Sequence, residues 1–167
     1  STETECLLIG HTLNDKAKEL AKLPSLTKIH AWDHSSCMHP SPLALAQALK
    51  EWVDSYSTIV MPTDTLSKAT LPALAALLDC APITDVIGIQ DAQTFIRPIY
   101  AGNAQEIIRT KSTKLFLTLQ PTAFTPVTET QPPCPIENVS TELADALHRF
   151  VSLEEHGGDR PDLSTAT

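Results

Sequence analysis

A chain of 167 residues is long enough for one domain with a real core and short for two. Its 12 basic and 20 acidic residues leave a net charge of −8, which argues against non-specific nucleic-acid binding and against an anionic membrane surface. No apolar run approaches the ~18 residues of a membrane span. The four cysteines, Cys6, Cys37, Cys80 and Cys134, form no CxxC pair and read as free thiols.

In chain order, residues 5–10 read as a short apolar strand ending at Gly10. Asn14 or Asp15 then caps a helix whose Ala17, Leu20 and Ala21 share a face, and which closes at Leu23-Pro24. Residues 28–32 form a second strand. Ser41 is the N-cap of the clearest helix, with Pro42 at its first position and Leu45, Leu49, Trp52, Val53 and Tyr56 as its apolar stripe. Residues 58–61 are a third strand, and Thr70 is expected to cap the next helix. Residues 85–89 are a fourth strand. The order β-α-β-α-β-α-β predicts an α/β fold, an open, mostly parallel sheet with helices on both faces.

Residues 95–100 and 105–109 flank Ala101-Gly102-Asn103-Ala104, where Gly102 and Asn103 are the types that take positive φ most cheaply. Pro98 places the first of these strands at an edge or a bulge. This hairpin and a strand at 114–119 are expected to extend the sheet in antiparallel fashion. The division that follows is an α/β core over 5–119 and a Pro/Thr-rich connection over 120–139. A helix over 140–155 is capped by Ser140, with Leu143, Leu147, Phe150 and Val151 on one face. Residues 156–167 are a polar tail.

Few residues suggest chemistry. His30, His34, Cys37 and His39 lie close together beside Asp33, but their spacing fits no familiar metal site, and an exposed loop is the better reading. The loop over 63–70 offers Asp64, Ser67, Lys68 and Thr70 between a strand end and a helix start, a place that binds phosphate in open α/β sheets. It contains no glycine from which to build a phosphate cradle, so a plain capped helix start and a nucleotide site both stand as readings. No G-x-S-x-G elbow and no recognisable His/Asp pair is present, so no catalytic residue is assigned. Arg97, Tyr100 and Asn103, on or near the hairpin, are candidate partner contacts.

Leu-Pro-Ala-Leu-Ala-Ala-Leu-Leu-Asp-Cys-Ala-Pro-Ile-Thr-Asp-Val-Ile-Gly-Ile (71–89), followed by Thr-Phe-Ile-Arg-Pro-Ile-Tyr-Ala-Gly-Asn-Ala (94–104), resembles the N-terminal domain of the electron-transfer flavoprotein alpha subunit. Leu71, Pro72, Ala75, Ala76, Ala81, Pro82, Ile83, Asp85, Thr94, Phe95, Arg97 and Ile99 to Ala104 carry the likeness. Weaker similarity runs from about residue 6 to 124, and Asp-Arg-Pro-Asp-Leu (159–163) resembles the family's hinge. The resemblance implies an alpha–beta heterodimer whose FAD takes electrons from acyl-CoA and related dehydrogenases and passes them to a membrane quinone oxidoreductase. It implies a mitochondrial matrix location, or the cytoplasm in a bacterium, and a fold like that of universal stress proteins. The family's FAD is held mainly by the domain after the hinge, so this chain alone is expected to carry no flavin, and no FAD ligand is assigned here.

A nucleotide-binding module of the universal-stress type is the alternative, and a diverged structural protein without a partner is a third. Two departures stand out. The family has a strand and helix ahead of the segment matching Cys6, and their absence predicts a mid-sheet gap, with self-association or a preference for the beta subunit. Gln120-Pro121 also stands where the family commonly has Arg-Gly. The chain lacks an initiator Met and reads as processed or cut.

Overall fold

The computed structural model of the chain describes residues 3–128, 130–145 and 147–154. The hinge-like segment 159–163 and the tail 156–167 lie outside the described residues. In chain order the elements are β1 (Thr4–Gly10), α1 (Asn14–Leu20), β2 (Leu26–Asp33), α2 (Pro42–Trp52), β3 (Thr58–Pro62) and α3 (Thr65–Leu77). Then come β4 (Pro82–Val86), β5 (Gly88–Asp91), β6 (Thr94–Ile99), β7 (Ala104–Arg109), β8 (Leu115–Leu119) and β9 (Ile136–Val139). They form three sheets: parallel β1-β2-β9, parallel β3-β8-β4, and antiparallel β5-β6-β7.

Alternation along each strand decides which layer it holds. On β1, Cys6 and Leu8 face α1, where Ala17 and Ala21 pack on Ile29 and Ala31 of β2. Leu7 and Ile9 point the other way, into the larger core that α2 and α3 make with Trp32, Ile59 and Phe116. The first sheet thus has helices on both faces. On β8, Phe116 belongs to that core, while Leu117 faces Ile83, Val86 and Phe95. The antiparallel sheet therefore covers the face of the second sheet opposite α3.

Several expectations are corrected. Helix α3 starts at Thr65 with Asp64 as its cap, and Thr70 lies inside it, fully buried. Pro72, which a cap at Thr70 would put in the first turn, sits mid-helix. An interior proline costs ~3 kcal/mol, but Leu71, Leu74 and Ala75 are wholly buried, and full burial of a leucine is worth ~1.5–3 kcal/mol. Two such leucines offset the proline. Helix α1 has Leu13 rather than Asn14 or Asp15 at its N-cap, without a side-chain cap of its own. Its entry is held instead by Asp33, whose carboxylate accepts from the amides of Thr12 and Leu13, each at 2.8 Å.

The strand expected over 85–89 is two strands in two sheets. Asp85 has φ +58° and its N–H donates to the Thr118 hydroxyl at 2.8 Å, so the ladder to β8 breaks there and the chain turns into the antiparallel sheet. Strand β8 does not extend the sheet antiparallel; it lies between β3 and β4, parallel to both. Strand β6 is central rather than at an edge, yet Pro98 pairs only with Gln105 of β7, beyond the reach of β5, so its missing N–H costs no ladder bond. In the turn, positive φ falls on Tyr100, Ala101 and Gly102, whereas Asn103 is at φ −72°.

The Pro/Thr-rich connection contributes β9, parallel to β2 from Ile29↔Ile136 to Trp32↔Val139. The helix expected from Ser140 is absent from the described residues 140–145 and 147–154. The segment spends its hydrogen bonds elsewhere. The Trp32 indole donates to the Thr141 carbonyl at 2.6 Å, the Leu143 amide donates to the Ser36 hydroxyl at 2.8 Å, and the Asp145 carboxylate takes the amides of Leu147 and His148. Such local side-chain acceptors compete with a helix. Only Leu143 of the supposed apolar face is buried.

Strands β1 and β3 are not paired with each other. A cleft of about 370 Å³ lies between them, lined by Leu7, Ile9, Leu45, Leu49, Leu66 and Thr70 among others. Glu5 and Tyr56 stand at it, joined by a hydrogen bond from the tyrosine hydroxyl to the carboxylate.

Candidate functional site: a hairpin surface and a self-capped loop

The loop between β3 and α3 is where a phosphate would sit, and its polar groups are already engaged. The Thr63 amide donates to the Leu119 carbonyl at 2.8 Å and the Asp64 amide to the Pro62 carbonyl at 3.0 Å. The Asp64 carboxylate accepts from the Ser67 amide at 2.8 Å and from its hydroxyl at 2.9 Å. An anionic cap fills the position an anionic ligand would want at this helix start. Lys68 turns away to Asp85, 3.1 Å from its carboxylate, and Thr70 faces the core. The structure does not bring Asp64, Ser67, Lys68 and Thr70 together as a ligand set. The nucleotide-module reading is not favoured. For the same reason these residues do not fit the diphosphate of a flavin nucleotide.

The histidine-rich stretch disperses. His30 is buried in β2, His34 bonds the Ser36 hydroxyl at 2.7 Å, and His39 stacks on Phe150 with ring centroids 3.8 Å apart. Among the described residues no three His, Cys, Asp or Glu side chains come together to hold a metal. The described cysteines Cys6, Cys37, Cys80 and Cys134 are free, and burial raises the thiol pKa of Cys6 and Cys37.

The hairpin carries the partner-contact candidates, and the structure gives each a different task. Arg97 sits opposite Glu106 in the β6–β7 register, with its Nε donating to the carboxylate at 2.8 Å. Both side chains are partly exposed, so the pair is worth no more than about 1 kcal/mol and chiefly fixes the guanidinium in place. Asn103 closes the turn, its amide group donating to the Tyr100 carbonyl at 2.9 Å. Tyr100 itself is 80% exposed and held at φ +50° between two paired strands. Ile107, 63% exposed, pairs with Ile96 on the face of the hairpin opposite the Arg97–Glu106 pair. A rigidly mounted, exposed aromatic at the turn of a hairpin that also carries a fixed guanidinium is the composition of a docking anchor.

Sequence reading missed a polar cluster around Glu5. The Glu5 carboxylate bonds His30 Nε2 at 2.7 Å and accepts from Tyr56; His30 Nδ1 lies 3.6 Å from Glu137, which also pairs with Lys28. The hydrogen bond from Tyr56, then that from His30, lowers the pKa of Glu5, and Glu5 in turn raises that of Tyr56 to about 12. These residues come from β1, β2, β9 and the turn after α2, so no local spacing announces them.

Residues 1–144 match the family model described as Electron transfer flavoprotein domain. The electron transfer flavoprotein subunit alpha of Pseudomonas aeruginosa is 31% identical over 160 residues, covering 96% of this chain and 52% of that protein. A probable mitochondrial electron transfer flavoprotein subunit alpha of Schizosaccharomyces pombe is 32% identical over 164 residues, covering 95% of this chain and 48% of that protein. Its counterpart in Saccharomyces cerevisiae is 42% identical over 74 residues, 44% of this chain and 22% of that protein. The chain spans about half the length of the curated relatives it matches along most of its own.

Proposed function

Because this chain belongs to the electron transfer flavoprotein family, we propose that it is the scaffold domain of an alpha-type subunit. Its task is to hold a beta-type subunit and a flavin-carrying half in place, without redox chemistry of its own. The observation that carries this reading is the family match over residues 1–144, combined with a strand-end loop whose ligand-binding groups are spent on the fold. In the assembled protein, FAD carries electrons from acyl-CoA and related dehydrogenases to a membrane quinone oxidoreductase. The setting is the mitochondrial matrix or a bacterial cytoplasm. No helix among the described residues is long and apolar enough to cross a membrane.

Partner contact runs through the turn end of the hairpin, with Tyr100 as anchor, Arg97 on the strand before it and Asn103 shaping the turn. Co-expression with a beta-type subunit tests this. The two chains co-purify, and Tyr100→Ala weakens the complex at least tenfold while leaving the thermal midpoint of the free chain unchanged. Failure of the two chains to co-purify sinks the scaffold reading. Stoichiometric flavin absorbance in the purified chain alone sinks the division of labour.

A further inference from the structure

We propose that the groove between helix α2 and residues 141–144 is a binding site for a small organic cation, a guanidinium or ammonium group on a short apolar stem. The groove has a volume of about 440 Å³, in the range in which proteins hold small ligands. Ala44, Gln47, Ala48 and Glu51 lie along one flank of α2 at spacings of three and four, and Thr141, Glu142 and Ala144 form the other wall. Leu45 and Leu49 of the same helix are buried in the core, so the groove occupies a different side of α2.

One end of the groove is aromatic. Trp32 and Trp52 both line it, their rings near-parallel at 18° with centroids 6.3 Å apart. Trp32 is 3% exposed, so the half-buried Trp52 supplies most of the ring surface that a ligand meets. The Trp32 indole N–H is already given to the Thr141 carbonyl at 2.6 Å. That bond ties the 141–144 wall to the sheet and takes the aromatic end's buried donor out of play. Three alanines, Ala44, Ala48 and Ala144, leave open the space that larger side chains would fill.

The polar lining is weighted towards acceptors. Glu51 and Glu142 bring two carboxylates, and no Lys, Arg or His lines the groove. Among the described residues neither carboxylate is in an ion pair. Glu51 also stands in the last turn of α2, where the carbonyl end of the helix adds negative potential. Such a lining repels phosphates and carboxylic acids, and a neutral apolar molecule leaves its charges unanswered. A cation with N–H donors answers them, and a guanidinium plane also stacks on an indole. A concave space of small-ligand size, rather than a flat apolar patch of the kind a protein partner covers, assigns the site to a free molecule.

The probe is n-butylguanidinium, titrated into the full chain with n-butylurea as its neutral counterpart. Tryptophan emission is the readout, because the chain's only two tryptophans form the aromatic end. The expected result is a saturable change with a half-point below about 5 mM, at least tenfold weaker for the urea and weakened by about 0.5 M sodium chloride. Glu51→Gln, at an exposed position, weakens binding at least fivefold, and Ala48→Leu, which fills the groove, abolishes it. Glu19→Gln removes the same charge from α1, on the other face of the sheet, and leaves binding unchanged. The proposal is overturned by equal affinity for the urea, by absence of saturation at about 50 mM, or by an equal loss in Glu19→Gln and Glu51→Gln. A capped Ala-Arg-Ala tripeptide that binds at least tenfold more tightly than n-butylguanidinium also overturns it, because the occupant would then be a residue of a partner chain.

Discussion

The hydroxyl of Tyr56 donates to the carboxylate of Glu5, 51 positions earlier, and the same carboxylate oxygen lies 2.7 Å from Nε2 of His30. One acidic group thus ties the start of β1 to the middle of β2 and to the turn that ends α2. Two donors around it explain why Glu5 stays ionised below the ordinary carboxylate range and why Tyr56 holds its proton up to about 12.

The tyrosine gives an alkaline prediction. Its folded pKa is raised above the ordinary value near ~10, so its contribution is fully present below pH ~10 and is lost as pH rises through about 12. Lys28, held by Glu137, has a raised pKa and acts in the same direction. Urea midpoints measured from pH 8 to pH 12 fall across this window in the native chain. Tyr56→Phe lowers stability at pH 8 by about 1 kcal/mol and flattens the fall, leaving the part due to Lys28. An unchanged alkaline slope in that variant refutes the assignment.

Helix α3 offers a paired test. Asp64→Ala removes the cap that holds the Ser67 amide and is expected to cost about 0.5–2 kcal/mol; Asp64→Asn keeps most of it. Pro72→Ala goes the other way. It restores an amide to the helix interior and is expected to stabilise by about 1–3 kcal/mol. Chemical denaturation decides both signs, and a destabilised Pro72→Ala variant contradicts the claim that burial overcomes the proline.

The same helix illustrates what the amino-acid order discloses. Ser41 and Pro42 announce α2 because cap and first-turn chemistry are local, and the structure keeps both, with Ser41 accepting from the Ala44 amide at 3.3 Å. Thr70 and Pro72 imitate that signal in a place where packing of Leu71 and Leu74 overrides it. The position of β8 between β3 and β4 is non-local and leaves no mark on residues 115–119 themselves. Residues 136–139 pair with β2 only because that edge is free, and composition alone had placed them in a connection. At the candidate surface, residue types pointed to Arg97, Tyr100 and Asn103. Only coordinates separate the exposed ring from the two groups that fix its setting.

The turn below that ring is strained in a testable way. Ala101 has φ +53°, a region costing an L-residue ~1–2 kcal/mol that glycine escapes. Glycine gives back ~0.5–1 kcal/mol through the freedom it adds to the unfolded chain. Ala101→Gly is therefore expected to leave stability unchanged or raise it by up to about 1.5 kcal/mol, while Ala101→Val lowers it. Thermal midpoints of the two variants should fall on opposite sides of the Val-to-Gly series, with the native alanine between or beside the glycine form; a more stable valine variant rules out the left-handed turn.

Asp145 accounts for the segment that did not become a helix. Its carboxyl pKa is lowered to about 2, first by the Ser41 hydroxyl and then by the amides of His148 and Leu147. Ser41 also caps α2, so a single residue joins the helix start to the chain's later segment. A folded pKa below the ordinary ~3.9 means that the contribution is present above pH ~4 and disappears as pH falls through about 2. Between these values the 141–148 region should detach before the sheets open. Trp32 reports it, because its indole is bonded to the Thr141 carbonyl. The expected outcome is a change in tryptophan emission between pH 4 and pH 2 that precedes loss of the far-ultraviolet signal. In Asp145→Asn the acid step is gone and the altered emission is already present at pH 7. If emission and far-ultraviolet signal move together in the native chain, the segment is part of the same cooperative unit as the sheets and Asp145 does not gate it.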